Sequence, residues 1–532
     1  MRPFLSADAV RRVDSVIVLR VRGLCATSWD LLIVLFSVRL IYHLDRGEEC
    51  SRKHGNAGQE RGNCHMNDLH IVDLSIIIVY LVMTLAVGIY AGRRIRDLED
   101  FAVAGRSYPA WIIFATLAAS FIGGGFTMGN AQKVYVIGMV NVAALWGFSL
   151  KELLVARYIA PRVQHFPSVI SVGDIMEKDY GLPAKVITGI FSLFLCAGIL
   201  GAQVAGIGTI FKQFLGMSDI WGILIGTGIV ILYSAIGGMK SVVATDILQF
   251  CILAVGVPLA LLFGIFKAGG LKAVIDAAPA GHFSLFSHMT PVAFLSLFLT
   301  FVLGETLVPP YVIRLFIGKD HKQAARGTML SGLFSIPFFA ISGMIGLVAL
   351  AMNPNLDNPN LAMPYVIHQA LPVGLCGLVV AGIVAVVMSS ADSFLNTASM
   401  AVVNDIIAPF TPGGLSKKAS LSLARWTTLL TGALAIIFAV KIKGILDILI
   451  YAYNFWAPII LPPLVFTLLG LRPRPMAFYG GAFGGLAGVL LWNNLFGLTD
   501  KTGFDGLVAG VFVNVAVFLA IHFMGGAREE KA

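Results

Sequence analysis

The stretch PAWIIFATLAASFIGGGFTMGNA, residues 109–131, decides how this chain folds. It is apolar and long enough to cross a bilayer, whose hydrocarbon core takes about 20 helical residues. Gly123, Gly124 and Gly125 lie at its centre, and each glycine costs a helix about 1 kcal/mol relative to alanine. Non-helical backbone at that depth persists only where protein buries it or a cavity adjoins it. The glycines therefore predict an unwound stretch with free carbonyls; close packing through small residues is the alternative.

The whole chain has a membrane composition. Of its 532 residues, 57% are hydrophobic and only 13% are charged, whereas about a quarter of an ordinary soluble domain is charged. The net charge of +9 comes from Lys and Arg in short loops, so we expect no nucleic-acid partner. The six cysteines have no metal-ligand spacing, which predicts neither a disulfide framework nor a metal site.

About thirteen apolar segments predict an all-α polytopic membrane protein. They lie near residues 72–92, 109–131, 136–158, 186–211, 219–238, 245–268, 290–316, 328–351, 372–406, 423–441, 445–470, 476–496 and 506–524. Lys and Arg are concentrated in alternate loops, and the positive-inside rule makes those loops and the C-terminus cytoplasmic. We expect a multi-pass protein of a bacterial-type inner membrane, surrounded by the lipid bilayer.

The first 65 residues differ from the rest. The apolar run Leu24–Tyr42 carries Asp30 and Arg39, and each charge costs about 2.5–3.5 kcal/mol at a helix centre. We therefore expect residues 1–65 to be a disordered extension or a start-site artefact. Residues 66–532 are expected to form one membrane domain.

A second interrupted segment is FLTFVLGETLVPPYVIRLFIGKD, residues 298–320. Gly304 and the Pro309–Pro310 pair disrupt it, because proline removes a backbone donor and clashes with the preceding turn. It lies five segments after 109–131, which is the spacing that two inverted repeats of five helices predict. A proline kink without a binding role is the alternative. Glu305 lies within the interruption.

A polar stripe marks GLVVAGIVAVVMSSADSFLNTASMAVVND, residues 377–405. Ser389, Asp392, Ser393, Asn396 and Ser399 share one helical face. Polar groups within a span usually mark an ion or solute pathway, although serine hydroxyls can also bond carbonyls of their own helix. Because sodium is a hard cation that prefers oxygen ligands, this face and the glycine break together predict a sodium site.

Three ordered stretches resemble the sodium:solute symporter family. They are GRSYPAWIIFATLAAS (105–120), YSAIGGMKSVVATDILQ (233–249) and MSSADSFLNTASMAVVNDI (388–406). The resemblance implies a leucine-transporter-like fold, with an extra helix at 72–92, a ten-helix core at 109–470 and two C-terminal helices at 476–524. It also implies sodium-driven uptake of a small organic solute by alternating access, with no organic cofactor and no catalytic residues.

The same resemblance implies particular ligands. The main sodium would be held by backbone oxygens of Ala119, Ile122 and Val386 and by the hydroxyls of Ser389 and Ser390. A second sodium would use Asp246 and Ser393, although Asp392 stands where the family has another serine. Alternatively, Asp246 is a helix cap beside Thr245.

The nearest likeness is to the high-affinity choline transporter branch, which shares the three glycines, Tyr135 and the SSADS run. A quaternary ammonium needs an aromatic cage, but Phe121 replaces an expected tryptophan and Val308 another expected aromatic residue. The cage is therefore expected to be depleted. The residues expected to contact the solute are Phe121, Gly123, Gly124, Gly125, Glu305 and Asp392.

Several alternatives stay open from sequence. Glu305 or Asp392 would supply the counter-charge for a quaternary amine or a zwitterion, and a carboxylate solute also fits the family. Proton coupling and a symporter-like membrane sensor are the competing functions. A membrane enzyme is disfavoured because no His, Cys or carboxylate group has catalytic spacing. The oligomeric state is not determined by the sequence.

Overall fold

The computed structural model describes residues 69–93, 95–441, 452–454, 456–471 and 473–524. Within these ranges the chain forms helices and no β-strand, which confirms the predicted all-α class. The expected extension at 1–65 and the tail after Met524 lie outside the described residues, as does the first part of the predicted segment 445–470.

The helices of the first half include the two that flank the glycine break. They are α1 (Ile71–Gly92), α2 (Leu98–Val103), α3 (Ala110–Phe121), α4 (Gly124–Ile137), α5 (Val140–Leu154, continued as a π-helix over Val155–Ile159), α6 (Val172–Tyr180), α7 (Leu182–Leu215) and α8 (Asp219–Lys267).

The second half contains the proline interruption and the polar stripe. Its helices are α9 (Leu271–Ala277), α10 (Pro291–Leu303), α11 (Pro309–Phe316), α12 (His321–Met352), α13 (Ala362–Ala370), α14 (Leu375–Met400, continued as a π-helix over Ala401–Ile407), α15 (Lys417–Lys441), α16 (Leu461–Leu468), α17 (Pro475–Leu490), α18 (Leu498–Thr502) and α19 (Gly506–Met524).

Many of these helices can cross a bilayer. In the described ranges, 8 helices are long and apolar enough, and the bent pair α3 and α4 raises the number to 9. The apolar helix α10 is shorter than these spans. The count of thirteen spans stays a prediction.

Helix α8 is divided by Gly238. Its 49 residues would extend roughly 74 Å as a straight helix, far more than the bilayer core. Gly238 has φ 47° and ψ −138°, a conformation outside the helical region. A Cβ atom at this position would lie 2.5 Å from the carbonyl oxygen of Phe101. The break falls at the predicted boundary between segments 219–238 and 245–268.

Helix α14 is the centre of the membrane domain. Its apolar window is 89% buried, whereas the corresponding window of α17 is 28% buried. Helices α3, α7 and α8 pack against α14, while α17 and α19 pack against each other. A helix that is buried on all sides can keep a polar face only if neighbouring helices satisfy it.

Both predicted interruptions are present. Helix α3 ends at Phe121, Ile122 has φ −89° and ψ 55°, and α4 leaves at an angle of 53°. The irregular backbone is at Ile122 and Gly123, so the predicted unwound stretch is short and Gly124 and Gly125 already belong to α4. The stretch is short because the Gly123 carbonyl caps α4 by accepting from the amides of Phe126 and Thr127.

The second interruption separates α10 from α11 and contains Glu305. Here Leu307 is fully buried and has φ 51°, a left-handed conformation that a leucine rarely adopts. Such strain persists only when surrounding structure enforces it, and it clusters at ligand sites and switch regions. The packing around the α10–α11 interruption therefore holds the backbone in this conformation.

Replacing Gly238 with alanine should destabilise the protein by roughly 1–3 kcal/mol, because the new Cβ meets the Phe101 carbonyl in a strained backbone. Thermal unfolding of the detergent-purified protein measures the change. Gly201→Ala is the matched control, since a Cβ there has no neighbour within 4 Å. Equal stability of the two variants would contradict this reading of Gly238.

Candidate functional site

Two serines of α14 reach the end of α3. The Ser389 hydroxyl donates to the Ala119 carbonyl at 2.8 Å, and the Ser390 hydroxyl donates to the Ser120 carbonyl at 2.8 Å. Both hydroxyls also lie within 3.0–3.3 Å of the Val386 carbonyl. Both side chains are buried. We call Ala119, Ile122, Val386, Ser389 and Ser390 the α3–α14 site.

The helix break positions the remaining member of the α3–α14 site. Ile122 is fully buried, and its amide still donates to the Ala118 carbonyl. Its own carbonyl accepts no hydrogen bond from the described residues. Close by, a Cβ on Gly123 would lie 2.9 Å from the Ser390 hydroxyl. The structure thus gathers several backbone and hydroxyl oxygens at one point, and it adds the Ser120 carbonyl, which the sequence did not single out.

Asp246 and Ser393 lie next to the α3–α14 site, together with Arg314 of α11. Arg314 Nη2 donates to Asp246 Oδ2 at 3.0 Å and to the hydroxyls of Ser120 and Ser393. Its Nε donates to the Thr116 hydroxyl at 2.9 Å. All of these side chains are buried. Asp246 is therefore an ion-pair partner in the interior, not a cap at a helix end.

Asp392 faces α8. One of its oxygens accepts from the Tyr233 hydroxyl at 2.6 Å and from Thr245 at 3.4 Å, and the other accepts from Ser393 at 3.0 Å. The carboxylate thus links α14 to α8, and the expected solute contact at Asp392 stays a prediction. Asn396, farther along the stripe, has both side-chain polar atoms buried without a hydrogen-bond partner among the described residues.

Glu305 lies in the α10–α11 interruption. Its Oε1 accepts a hydrogen bond from the Tyr453 hydroxyl. Its Oε2 is buried and has no hydrogen-bond partner in the described part of the chain. A buried acceptor without a donor costs about 1–3 kcal/mol.

The three glycines that are expected to contact the solute differ in the space around them. A Cβ on Gly124 would lie 3.2 Å from Val387, whereas one on Gly125 would have no neighbour within 4 Å. Close packing therefore requires Gly123 and restricts Gly124, but it does not explain Gly125. Phe121, the last residue of α3, packs edge-on against Tyr311 with 5.2 Å between ring centroids.

A second buried ion pair joins α5 to α11. Lys151 Nζ lies 2.8 Å from Glu152 Oε1, and the exposed fractions of the two side chains are 1% and 0%. The Tyr311 hydroxyl donates to Glu152 Oε2 at 3.1 Å. These residues were not among those predicted from the sequence. The adjacent charges of Lys151 and Glu152 in the middle of the apolar segment 136–158 were the available signal, because ionisable residues within a span are rare and usually functional.

Solved structures define the fold class. A Na⁺-coupled sialic acid symporter in a substrate-bound outward-open state superposes with a TM-score of 0.73, at 18% identity, over 86% of this chain and 99% of that one. Mhp1, a nucleobase-cation-symport-1 family transporter, superposes with a TM-score of 0.54 at 15% identity, over 79% of this chain and 94% of that one. The protein therefore has a leucine-transporter-like fold.

The sequence profile described as "Sodium:solute symporter family" matches residues 101–488. Relatives are the sodium/glucose cotransporter of Vibrio parahaemolyticus (23% identity, covering 79% of this chain and 84% of that protein) and the osmoregulated proline transporter OpuE of Bacillus subtilis (23%, 84% and 93%). The chain belongs to the sodium:solute symporter family, whose members are sodium-coupled secondary transporters and not enzymes.

Arg314→Met should cost about 3–5 kcal/mol of stability, because it leaves the Asp246 carboxylate buried without its partner. Adding Asp246→Asn should restore much of that loss, and thermal unfolding of the single and double variants gives the coupling. Lys417→Ala is the exposed control: Lys417 lies 3.6 Å from Asp97 and is 84% exposed, so it should change stability by less than about 1 kcal/mol. Additive losses in the double variant would refute the coupling.

Proposed function

We propose that this protein is a sodium-coupled symporter that takes up a small organic solute by alternating access. The coupling ion would bind in the α3–α14 site, through backbone oxygens of Ala119, Ile122 and Val386 and the hydroxyls of Ser389 and Ser390. We further propose that it lies in a bacterial-type inner membrane with its C-terminus in the cytoplasm, in keeping with the Lys and Arg distribution.

The observation that carries this proposal is the pair of 2.8 Å contacts from Ser389 and Ser390 to the carbonyls of Ala119 and Ser120. Each hydroxyl can rotate, so that its proton leaves the carbonyl and its lone pair turns inward. A sodium ion would then be shared by the same oxygens. Neutral oxygen ligands suit a coupling ion, which has to leave as readily as it binds.

Sodium and solute would be coupled through the α3 break. An ion bound across the α3–α14 site would hold the end of α3 against α14. Phe121 and Gly123, two of the residues expected to contact the solute, lie at that end of α3 or just after it. A ligand shifts a conformational equilibrium only through its different affinities for the two states. Because the coupling is reciprocal, solute should tighten sodium binding as much as sodium tightens solute binding.

The solute class is the finer part of the proposal. Relatives are named for glucose, proline, pantothenate and sialic acid, which are all small organic molecules. In this chain Glu305 offers a buried carboxylate oxygen at the α10–α11 interruption. This carboxylate supports a solute with a positive group, either a cation or a zwitterion, over a simple carboxylate.

A second sodium at Asp246 and Ser393 would compete with Arg314, whose guanidinium already donates to both residues. Occupation of that position requires Arg314 to move away from these oxygens. The stoichiometry of transport is therefore linked to the position of α11, which carries Arg314.

Ser389→Ala and Ser390→Ala should each weaken sodium binding by roughly tenfold or more, since each removes an oxygen ligand worth at least about 1.4 kcal/mol. The measurement is the thermal stabilisation of the purified protein by NaCl against equimolar KCl. Thr397→Val is the control on the same helix, because among the described residues the Thr397 hydroxyl bonds only the Ser393 carbonyl of its own helix. Stabilisation by acid pH but not by sodium would instead favour proton coupling.

Gly123→Ala should also weaken sodium binding, because its Cβ would lie 2.9 Å from the Ser390 hydroxyl and displace it. Gly125→Ala provides a matched control two residues away, where a Cβ has no neighbour within 4 Å. Sodium titrations followed by thermal shift compare the two. The proposed geometry fails if Gly123→Ala retains the wild-type sodium affinity.

A further inference from the structure

Three aromatic rings surround the ammonium of Lys151. Its Nζ lies 3.8 Å from the ring centroid of Phe148, 4.5 Å from that of Tyr311 and 5.8 Å from that of Phe121. The rings come from α3, α5 and α11. Rings arranged around a cation in this way form the kind of cage that binds organic ammonium ions. We call these three rings the aromatic cage.

The aromatic cage is filled by a charge of the protein itself. Lys151 is held in it by Glu152, whose other oxygen accepts from Tyr311, one of the cage residues. Lys151 and Glu152 cancel each other's charge. A quaternary ammonium that approached the cage would have to displace the Lys151 ammonium and leave Glu152 buried without its partner, which is strongly unfavourable.

Glu305 is a further carboxyl group of this region, and it makes no ion pair among the described residues. The Lys151 ammonium interacts electrostatically with it, but Lys151 makes its ion pair with Glu152. Glu305 Oε2 is buried and lacks a donor among the described residues, while Oε1 is occupied by Tyr453. The free oxygen needs a hydrogen-bond donor, and a carboxylate that accepts from a cationic N–H forms a strong, charge-assisted bond.

We propose that Lys151 acts as a tethered cation in the aromatic cage, and that the transported solute is an organic ammonium ion with at least one N–H, which it donates to Glu305 Oε2. Primary and secondary amines, including zwitterionic amino acids, fit this requirement. Quaternary ammonium ions have no N–H to donate. They are also excluded from the aromatic cage, because the Lys151 ammonium occupies it. This inference rests on the proposed sodium-coupled symport and specifies its cargo.

The test compares amines with their quaternary counterparts, so that each pair differs in N-methylation. The full-length protein in detergent is titrated, in NaCl and in KCl, with ethanolamine and choline, with glycine and glycine betaine, and with proline and proline betaine. Thermal shift reports binding. We expect sodium-dependent stabilisation by the N–H member of at least one pair, with its quaternary partner weaker by roughly tenfold or more, as loss of a charge-assisted hydrogen bond implies.

Two variants assign the effect to residues. Glu305→Gln should reduce binding of the amine by roughly tenfold or more, because the amide loses the charge that the ammonium requires. The double variant Lys151→Met with Glu152→Gln empties the cage without leaving an unpaired charge, and it should reduce the discrimination against the quaternary partner. Lys151→Met alone is less informative, because it leaves Glu152 unpaired and risks misfolding.

The outcomes separate this inference from the function on which it rests. If sodium itself gives no stabilisation, the proposed symport fails. If sodium stabilises the protein but no N–H amine does, or if a quaternary member binds as tightly as its N–H partner, the cargo assignment alone is overturned. Unchanged amine affinity in Glu305→Gln also overturns it.

Discussion

A bilayer offers no hydrogen-bond partner to a broken helix, and the rest of this structure depends on that constraint. Helix α3 ends in the membrane interior at Phe121, and the carbonyls of its last turn need donors. Ser389 and Ser390 of α14 supply them. To do so α14 has to lie beside α3 in the interior, in keeping with the 89% burial of its apolar window. The oxygens gathered for this structural reason are also the oxygens that suit a sodium ion.

Buried charges determine how the broken helices fit together. Arg314 ties α11 to α3, α8 and α14, while Lys151 and Glu152 tie α5 to α11. Removing two charges from water is costly, so such pairs are retained only with good geometry and additional hydrogen bonds. Both pairs meet this condition. Movement of α11 during a transport cycle would require Arg314 to exchange hydrogen-bond partners. The apolar contacts of α11 could shift without such an exchange.

The sequence predicted the helix breaks well but their exact chemistry less well. Propensity locates a glycine run, yet only the tertiary structure shows that a Cβ on Gly123 would press on the Ser390 hydroxyl. Asp392 was expected to be a counter-charge for the solute, and the sequence did not show which protein group it bonds. Its partner is Tyr233 of α8, and periodicity within one helix cannot reveal a neighbouring helix.

By itself, the sequence determined that the chain is a membrane protein, where α3 is interrupted, where Pro309 and Pro310 break the later segment, and which face of α14 is polar. These properties follow from local composition and helical periodicity. Only the tertiary structure decided that Arg314 pairs with Asp246 and that Lys151 occupies a cage of rings from three helices. These contacts join residues far apart in the chain, and they form only when the packed helices exclude water and force each buried charge to find a partner.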